Sequence, residues 1–249
     1  MNLVYHLQAT SDEIGEYVFL AGDPGRIPVI AEFFDDAHQV SSSRGFNIYS
    51  GFLEGAPVSA VSTGIGGPST AIALEELIAL GAHTFLRIGT CGSLQPHVKH
   101  GDAVISMAAI RDEGTTQQYV PIEYPAVANV ELVSQLIAAS EEAGITFHAG
   151  ITHCKDSFFS EIPEYTAHPS LTELRWATWQ RAQAVATEME AAVLFILSSL
   201  RSCRAAAFLS VVGSTIDGEP ITDTGGVQQA VEIGIEAMRR VIQHDRQKE

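Results

Sequence analysis

Apolar residues along this chain gather in short, nearly unbroken runs bounded by Gly or Pro, at residues 17–20, 58–62, 84–88, 103–108 and 206–212. Runs of this length rich in Val, Ile and Ala predict strands buried on both faces of a sheet. Helical spacing lies between them, at 28–34, 69–80, 130–143, 183–200 and 226–244. The last has apolar positions at Val227, Ala230, Val231, Ile235, Met238 and Ile242, one stripe of a helix of period 3.6. Strands alternating with helices predict an α/β layer architecture. No internal repeat, low-complexity linker or shift in composition divides the chain, so a single domain over residues 1–249 is expected. Residues 160–179 break the pattern. Pro163, Pro169, Tyr165, Trp176 and Trp179 stand there with weak periodicity, which fits either a flap over a site or a packed surface crossover.

Charge narrows the function. Fourteen Lys and Arg against 30 Asp and Glu give a formal net charge of −16, which argues against binding nucleic acid or anionic lipid over a broad surface. An anionic substrate would need a local cationic pocket within a repelling field. Residues 1–17 hold no Lys or Arg and do not read as a signal peptide, and no run of about 18 apolar residues is present. The three cysteines, Cys91, Cys154 and Cys203, are widely spaced with no CxxC, so the expectation is inert thiols in a reducing cytoplasm and no metal site.

Four segments could carry chemistry. Ala21-Gly22-Asp23-Pro24-Gly25-Arg26 joins a strand to a helix. Gly22 and Gly25 allow close backbone approach and Arg26 could grip an oxyanion, or the segment is an ordinary turn with a solvated Arg. Ser62 to Thr70 is a second glycine-rich strand-to-helix loop, but Ser69 stands where a dinucleotide loop needs its third Gly, which leaves a small-anion or small-ligand loop. In Phe85-Leu86-Arg87-Ile88-Gly89-Thr90, an Arg inside an apolar strand needs a buried anionic partner, from the protein or from a ligand. Glu188-Met189-Glu190 opens an apolar helix, where acids are favoured by about 0.3–1 kcal/mol each.

Together the motifs AGDPGR, STGIGGPSTAIALEELIALG, FLRIGTCGSLQPH and PIEYPAVA, with Cys154 to Phe158 and Glu188 to Leu194, resemble the nucleoside phosphorylase family of the uridine phosphorylase type. The resemblance covers about two thirds of the chain. It implies one α/β domain around a mixed, barrel-like sheet, no metal or organic cofactor, inorganic phosphate as co-substrate, a role in nucleoside catabolism and salvage, and a hexamer of dimers that share active sites. Carried over by matched motif, phosphate is held by Gly22, Arg26, Arg87 and Thr90, with Arg44 arriving from the dimer partner. Ribose is held by Met189 and Glu190, with His6 from the neighbour, and Phe158 packs on base or sugar. Arg87, Thr90 and Glu190 are the expected catalytic residues. Gly45 replaces a Glu of the family that helps to bind a monovalent cation, so no such site is expected.

The base pocket departs from the family. The Gln that reads the pyrimidine edge is replaced by Glu161 or Ile162, and the following Arg by Glu164 or nothing. A second Arg is replaced near Ser214 and Thr215. The acid that purine-specific members use is also missing from its place, where Gly213 or Ser214 stands, with Asp217 nearby. An ionised Glu161 about 4 Å from a departing base anion would raise the barrier by about 4 kcal/mol at an effective dielectric of 20. Three ways out exist. Glu161 is protonated, it faces solvent on a re-routed loop, or the substrate carries N–H donors. The Ile162-Pro163 step favours re-routing. Phosphorolysis of a uridine-like nucleoside to free base and ribose 1-phosphate is the leading expectation. The alternatives are a purine nucleoside phosphorylase with an atypical pocket, a nucleoside hydrolase, and a non-catalytic nucleoside-binding relative.

Overall fold

The architecture turns on one long strand that belongs to two assemblies at once. In the computed structural model, which describes residues 3–214 and 226–248, β5 (Thr84–Ser93) lies between β1 (Tyr17–Ala21) and β10 (Arg204–Ser214), parallel to both. Towards its end, Gly92 and Ser93 pair antiparallel with β9 (Ala186–Glu188). From β10 the sheet passes antiparallel to β6 (Ala103–Asp112), then parallel to β8 (Phe147–Lys155) and to β9. The five strands β5, β10, β6, β8 and β9 thus close into a ring, which removes their free edges. On the other side of β5 the sheet continues through β1, β4 (Ala56–Ser62), β3 (Phe46–Leu53) and β2 (Asp35–Ser43), and the two-residue β7 (Ala126–Val127) pairs with β6.

All five residues of β1 are buried, and alternate side chains enter different cores. Val18 and Leu20 join one hydrophobic cluster, Tyr17, Phe19 and Ala21 the other, as a period of two requires. The first cluster includes the apolar faces of α2 (Gly67–Ala79) and α5 (Ala191–Leu200); the second includes those of α1 (Arg26–Ala31), α3 (Val130–Glu142) and α6 (Val227–Arg246). The single α/β domain with a mixed, barrel-like sheet is therefore as expected.

Two expectations need correction, and β2 is an addition to them. The segment 183–200 is not one helix. Residues 186–188 are drawn into the ring as β9, and α5 starts only at Ala191, because strand pairing on both sides outweighs the continuous apolar pattern. Residues 160–179 are not an irregular flap throughout. Two short 3-10 turns, Phe159–Glu161 and Pro163–Tyr165, lead into α4 (Pro169–Arg181), whose buried side chain is Thr172, so it has no apolar stripe to read. β2 escaped notice because its sequence, DDAHQVSSS, is polar and largely exposed, as suits a sheet edge. Its hairpin to β3 turns at Arg44 and Gly45, both at positive φ (53° and 87°), the pattern of a two-residue type I′ turn. Thr215 and Asp217 lie outside the described residues.

Gly15 marks the close approach of the strand pair that carries the first glycine-rich loop. A Cβ there would lie 2.5 Å from backbone atoms of Pro57 and Val58, and its N–H donates to Ser59 Oγ at 2.8 Å. Gly15→Ala is expected to push β1 from β4 and lower the unfolding free energy by roughly 1–3 kcal/mol, read as a drop in thermal midpoint.

Candidate active site

Arg87 is 4% exposed, in register with Leu20 of β1 and Ala207 of β10. A buried guanidinium needs anions, and the β9–α5 junction supplies two. Nη2 donates to Glu190 Oε2 at 2.5 Å, and Nε lies 3.6 Å from Glu188 Oε2. Glu190 Oε1 also accepts the Gly66 N–H at 2.6 Å, and Glu188 Oε2 accepts the N–H groups of Glu190 and Ala191, both at 2.8 Å. Glu188 thereby satisfies the first amides of α5, which accounts for one of the two acids at that helix start. Burial alone would lower the Arg87 pKa, but Glu190 and Glu188 outweigh it and hold it above its ordinary value. Burial pushes the Glu188 carboxyl up, Arg87 opposing and Glu190 reinforcing the shift. Among the described residues, Nε and Nη1 of Arg87 and Oε1 of Glu188 are buried with no hydrogen-bond partner. The two readings of Arg87 are thus not exclusive. Nε and Nη2 face the two carboxylates, and among the described residues Nη1 is left with neither a hydrogen bond nor an ion pair.

The loops leaving β1 and β4 lie over this guanidinium. A Cβ on Gly22 would stand 4.0 Å from Arg87 Nη1 and 3.2 Å from the Gly64 carbonyl oxygen, so the bare backbone of Gly22 faces Nη1. Arg26 is not a solvated turn residue. Its Nη1 donates to the Ile88 carbonyl at 2.9 Å, and burial and the nearby Arg87 both pull its pKa down. Two partly desolvated guanidiniums that repel each other mark a place where an anion is favoured. In the second glycine-rich loop, Ser69 Oγ donates to the Thr63 carbonyl at 2.5 Å, and the Gly66 amide is taken by Glu190. That loop orients a carboxylate. Thr90, three residues beyond Arg87, and Met189, between the two acids, are both half-buried.

Other residues named from the sequence gather elsewhere. Arg44, exposed at its hairpin tip, donates to Tyr5 Oη at 2.7 Å and lies over the Tyr5 ring at 4.7 Å. His6 meets the same ring edge-on at 4.8 Å, and its Nδ1 is 2.6 Å from Glu76 Oε1. The Glu76 carboxylate also accepts the His6 and Leu7 backbone N–H groups. Beside them a cavity of about 410 Å³ is lined by His6, Pro68, Ile72, Glu75, Thr115 and Tyr119. Among the described residues no hydrogen bond or ion pair joins this group to Arg87.

On the remaining side, Phe158 and Ile162 are exposed at 46% and 40%. Glu161 does not face solvent on a re-routed loop. It forms an ion pair of 2.5 Å with Nζ of Lys155, the last residue of β8. Lys155 is 5% exposed and also donates to Thr187 Oγ1 at 3.0 Å. Sequence reasoning missed Lys155 because β8 was not read as a strand; a cation ending one, just ahead of the aromatic turn, was the available signal. Cys91, Cys154 and Cys203 are free, and burial pushes all three thiols up. Among the described residues no group of His, Cys, Asp and Glu could hold a metal ion, and no helix is long and apolar enough to cross a membrane.

Two neighbouring guanidiniums, with the Glu188 and Glu190 carboxylates against Arg87, have the chemistry to hold an anion beside hydroxyl donors. The phosphorylase superfamily matches residues 16–244. The uridine phosphorylase of Treponema pallidum (strain Nichols) is 41% identical, covering 97% of this chain and 95% of its own length. That of Thermococcus kodakarensis is 39% identical, covering 98% and 89%. The guanosine phosphorylase of Halorubrum lacusprofundi is 37% identical, covering 86% and 84%. The chain belongs to the phosphorylase superfamily.

Gly89 offers a test of the anion site that changes no charged group. A Cβ there would lie 2.7 Å from Leu209 Cδ2 and 2.8 Å from Arg87 Cζ, so Gly89→Ala displaces the guanidinium. Saturating phosphate, about 100 times its Kd, is expected to stabilise the wild-type protein by about 2.7 kcal/mol and the variant by much less, read as thermal shifts.

Proposed function

We propose that this protein catalyses the phosphorolysis of uridine to uracil and ribose 1-phosphate. The observation that carries this reading is Arg87, salt-bridged to Glu190 through one nitrogen while Nη1 and Nε have no hydrogen-bond partner among the described residues, with Arg26 and the bare backbone of Gly22 alongside. These groups and Thr90 bind phosphate. Glu190 holds Arg87 and the Gly66 amide, and the second lone pair on each of its oxygens accepts from the ribose hydroxyls. Met189 packs on the sugar and Phe158 on the base. The uridine phosphorylases among the relatives support pyrimidine over purine as the base.

The reaction needs positioning and charge more than covalent help from the protein. As the glycosidic bond breaks, positive charge builds on the anomeric carbon and negative charge on the base. A phosphate oxygen held by Arg26 and Arg87 lies next to that cation, both stabilises it electrostatically and attacks it, and closes the new C–O bond. Phosphate is the co-substrate, and these steps call on no metal or organic cofactor.

His6 and Arg44 act across a subunit boundary in this proposal. Their shared contact with Tyr5 supports it, because one surface patch presents both side chains together to a neighbour. The assembly is a dimer-based homo-oligomer, a hexamer in full. Three free cysteines suit a reducing cytoplasm.

Base release from uridine and from guanosine, with and without phosphate, tests the reaction; release of uracil that depends on phosphate is expected. Arg87→Ala should lower that rate at least about 100-fold, the scale of losing a charged transition-state donor, and near-normal turnover by the variant removes the assignment. Sedimentation at assay concentration should show at least a dimer; an active monomer contradicts the shared site.

A further inference from the structure

Lys155 is a buried cation for which the proposed reaction has as yet no use. Its ammonium closes β8, one residue past the rung where Cys154 pairs with Glu188 of β9. It therefore sits beside the junction that presents Met189 and Glu190. Three residues further along the chain is Phe158, whose ring centroid is 5.9 Å from Nζ, and Trp176 of α4 flanks the ammonium at 5.8 Å. From residue 158 to 165 the turn reads Phe-Phe-Ser-Glu-Ile-Pro-Glu-Tyr and holds no Lys, Arg, Asn or Gln. Lys155 is the positive group that faces Glu161 there.

A polar chain fixes the ammonium from behind. His153 Nε2 is 2.9 Å from Asp112 Oδ2 and its Nδ1 is 3.1 Å from Thr187 Oγ1. The carboxylate accepts a hydrogen bond from Nε2–H, so Nδ1 accepts from the Thr187 hydroxyl, whose oxygen in turn accepts from Lys155 Nζ at 3.0 Å. Burial pulls the His153 pKa down, which keeps the imidazole in this neutral form. Arg175 of α4 binds the same Asp112, and Trp176 and Trp179 pack on the His153 ring. Two of the three ammonium donors are thus accounted for, one by a barrel strand and one by a loop carboxylate.

We propose that Lys155 gives its third hydrogen bond to a ring carbonyl of the departing base and stabilises the charge that develops there, with Glu161 as the counterion that shares the ammonium. This rests on the function proposed above and adds a catalytic residue to it. When the C1′–N bond breaks, the electron pair stays on the base nitrogen and spreads to the ring carbonyl oxygens. The new bond at C1′ comes from phosphate. Lys155 remains protonated throughout, and the base gains its proton from water after release. The repulsion expected between an ionised Glu161 and a base anion is thereby offset by a cation 2.5 Å from that carboxylate.

The test compares Lys155→Met with wild type on uridine and on 5-fluorouridine, whose base is a better leaving group and needs less stabilisation. The expected result is a loss in kcat/KM of about 100-fold on uridine, a clearly smaller loss on 5-fluorouridine and an unchanged KM for phosphate. Lys155→Arg, which keeps the charge, should restore most of the uridine rate. If Lys155→Met does not fold, judged by the loss of its phosphate-induced thermal shift, Lys155→Gln is read in the same way. Equal losses on both nucleosides, or none, overturn the inference and leave Lys155 as a tie between the loop and the barrel. Wild-type protein that releases no uracil overturns the function itself, so the two failures are distinct.

Discussion

Everything at this site depends on keeping the Arg87 charge out of water. A guanidinium at 4% exposure is tolerable only with a carboxylate in contact, and Glu190 meets that need at 2.5 Å. The requirement spreads outward. Glu190 is oriented by the Gly66 amide, Glu188 is oriented by the first amides of α5, and both depend on β9 having joined the ring. A glycine at 89 leaves room for the guanidinium, and a glycine at 22 leaves its Nη1 uncovered. In a chain of formal net charge −16, Arg26 and Arg87 bring two guanidiniums together at one point, with Glu188 and Glu190 answering Arg87.

The second arrangement faces outward. Arg44 and His6 come from distant parts of the chain, yet both rest on Tyr5, and His6 is tied to α2 through Glu76. Holding long polar side chains in place before they meet a ligand reduces the conformational entropy lost on binding. The hairpin turn at Arg44 and Gly45 projects one of them clear of the sheet edge. In the proposed assembly the patch serves the neighbour's site.

Much of this was legible in the sequence, and the remainder has physical reasons for being hidden. β1, β4, β5, β6 and β10 announce themselves because strands buried on both faces are apolar without interruption. Arg87 stands out as a charge inside such a run. β2 and α4 lie on the exterior, where no apolar period is imposed. β9 is three residues long and directly precedes an apolar helix, so only pairing in three dimensions separates the two. The Lys155–Glu161 pair was unreadable for a further reason. Glu161 alone looks like a repulsive intruder, and its partner becomes visible only when β8 delivers Lys155 to the same turn. The roles carried over to Gly22, Arg26, Arg44, Arg87, Thr90, His6, Met189, Glu190 and Phe158 rest on the matched motifs and stand as proposals.

The three residues of β9 make the site depend on the shortest rung of the ring. Every other strand of the ring is at least nine residues long, whereas β9 bridges β5 and β8 with three, and its partners lie far away along the chain. That shortest rung is the one that brings Glu188, Met189 and Glu190 to Arg87. Losing its few pairings would leave nearly all of the sheet in place and the buried guanidinium without a counterion, so the integrity of the site hangs on the shortest closure of the ring.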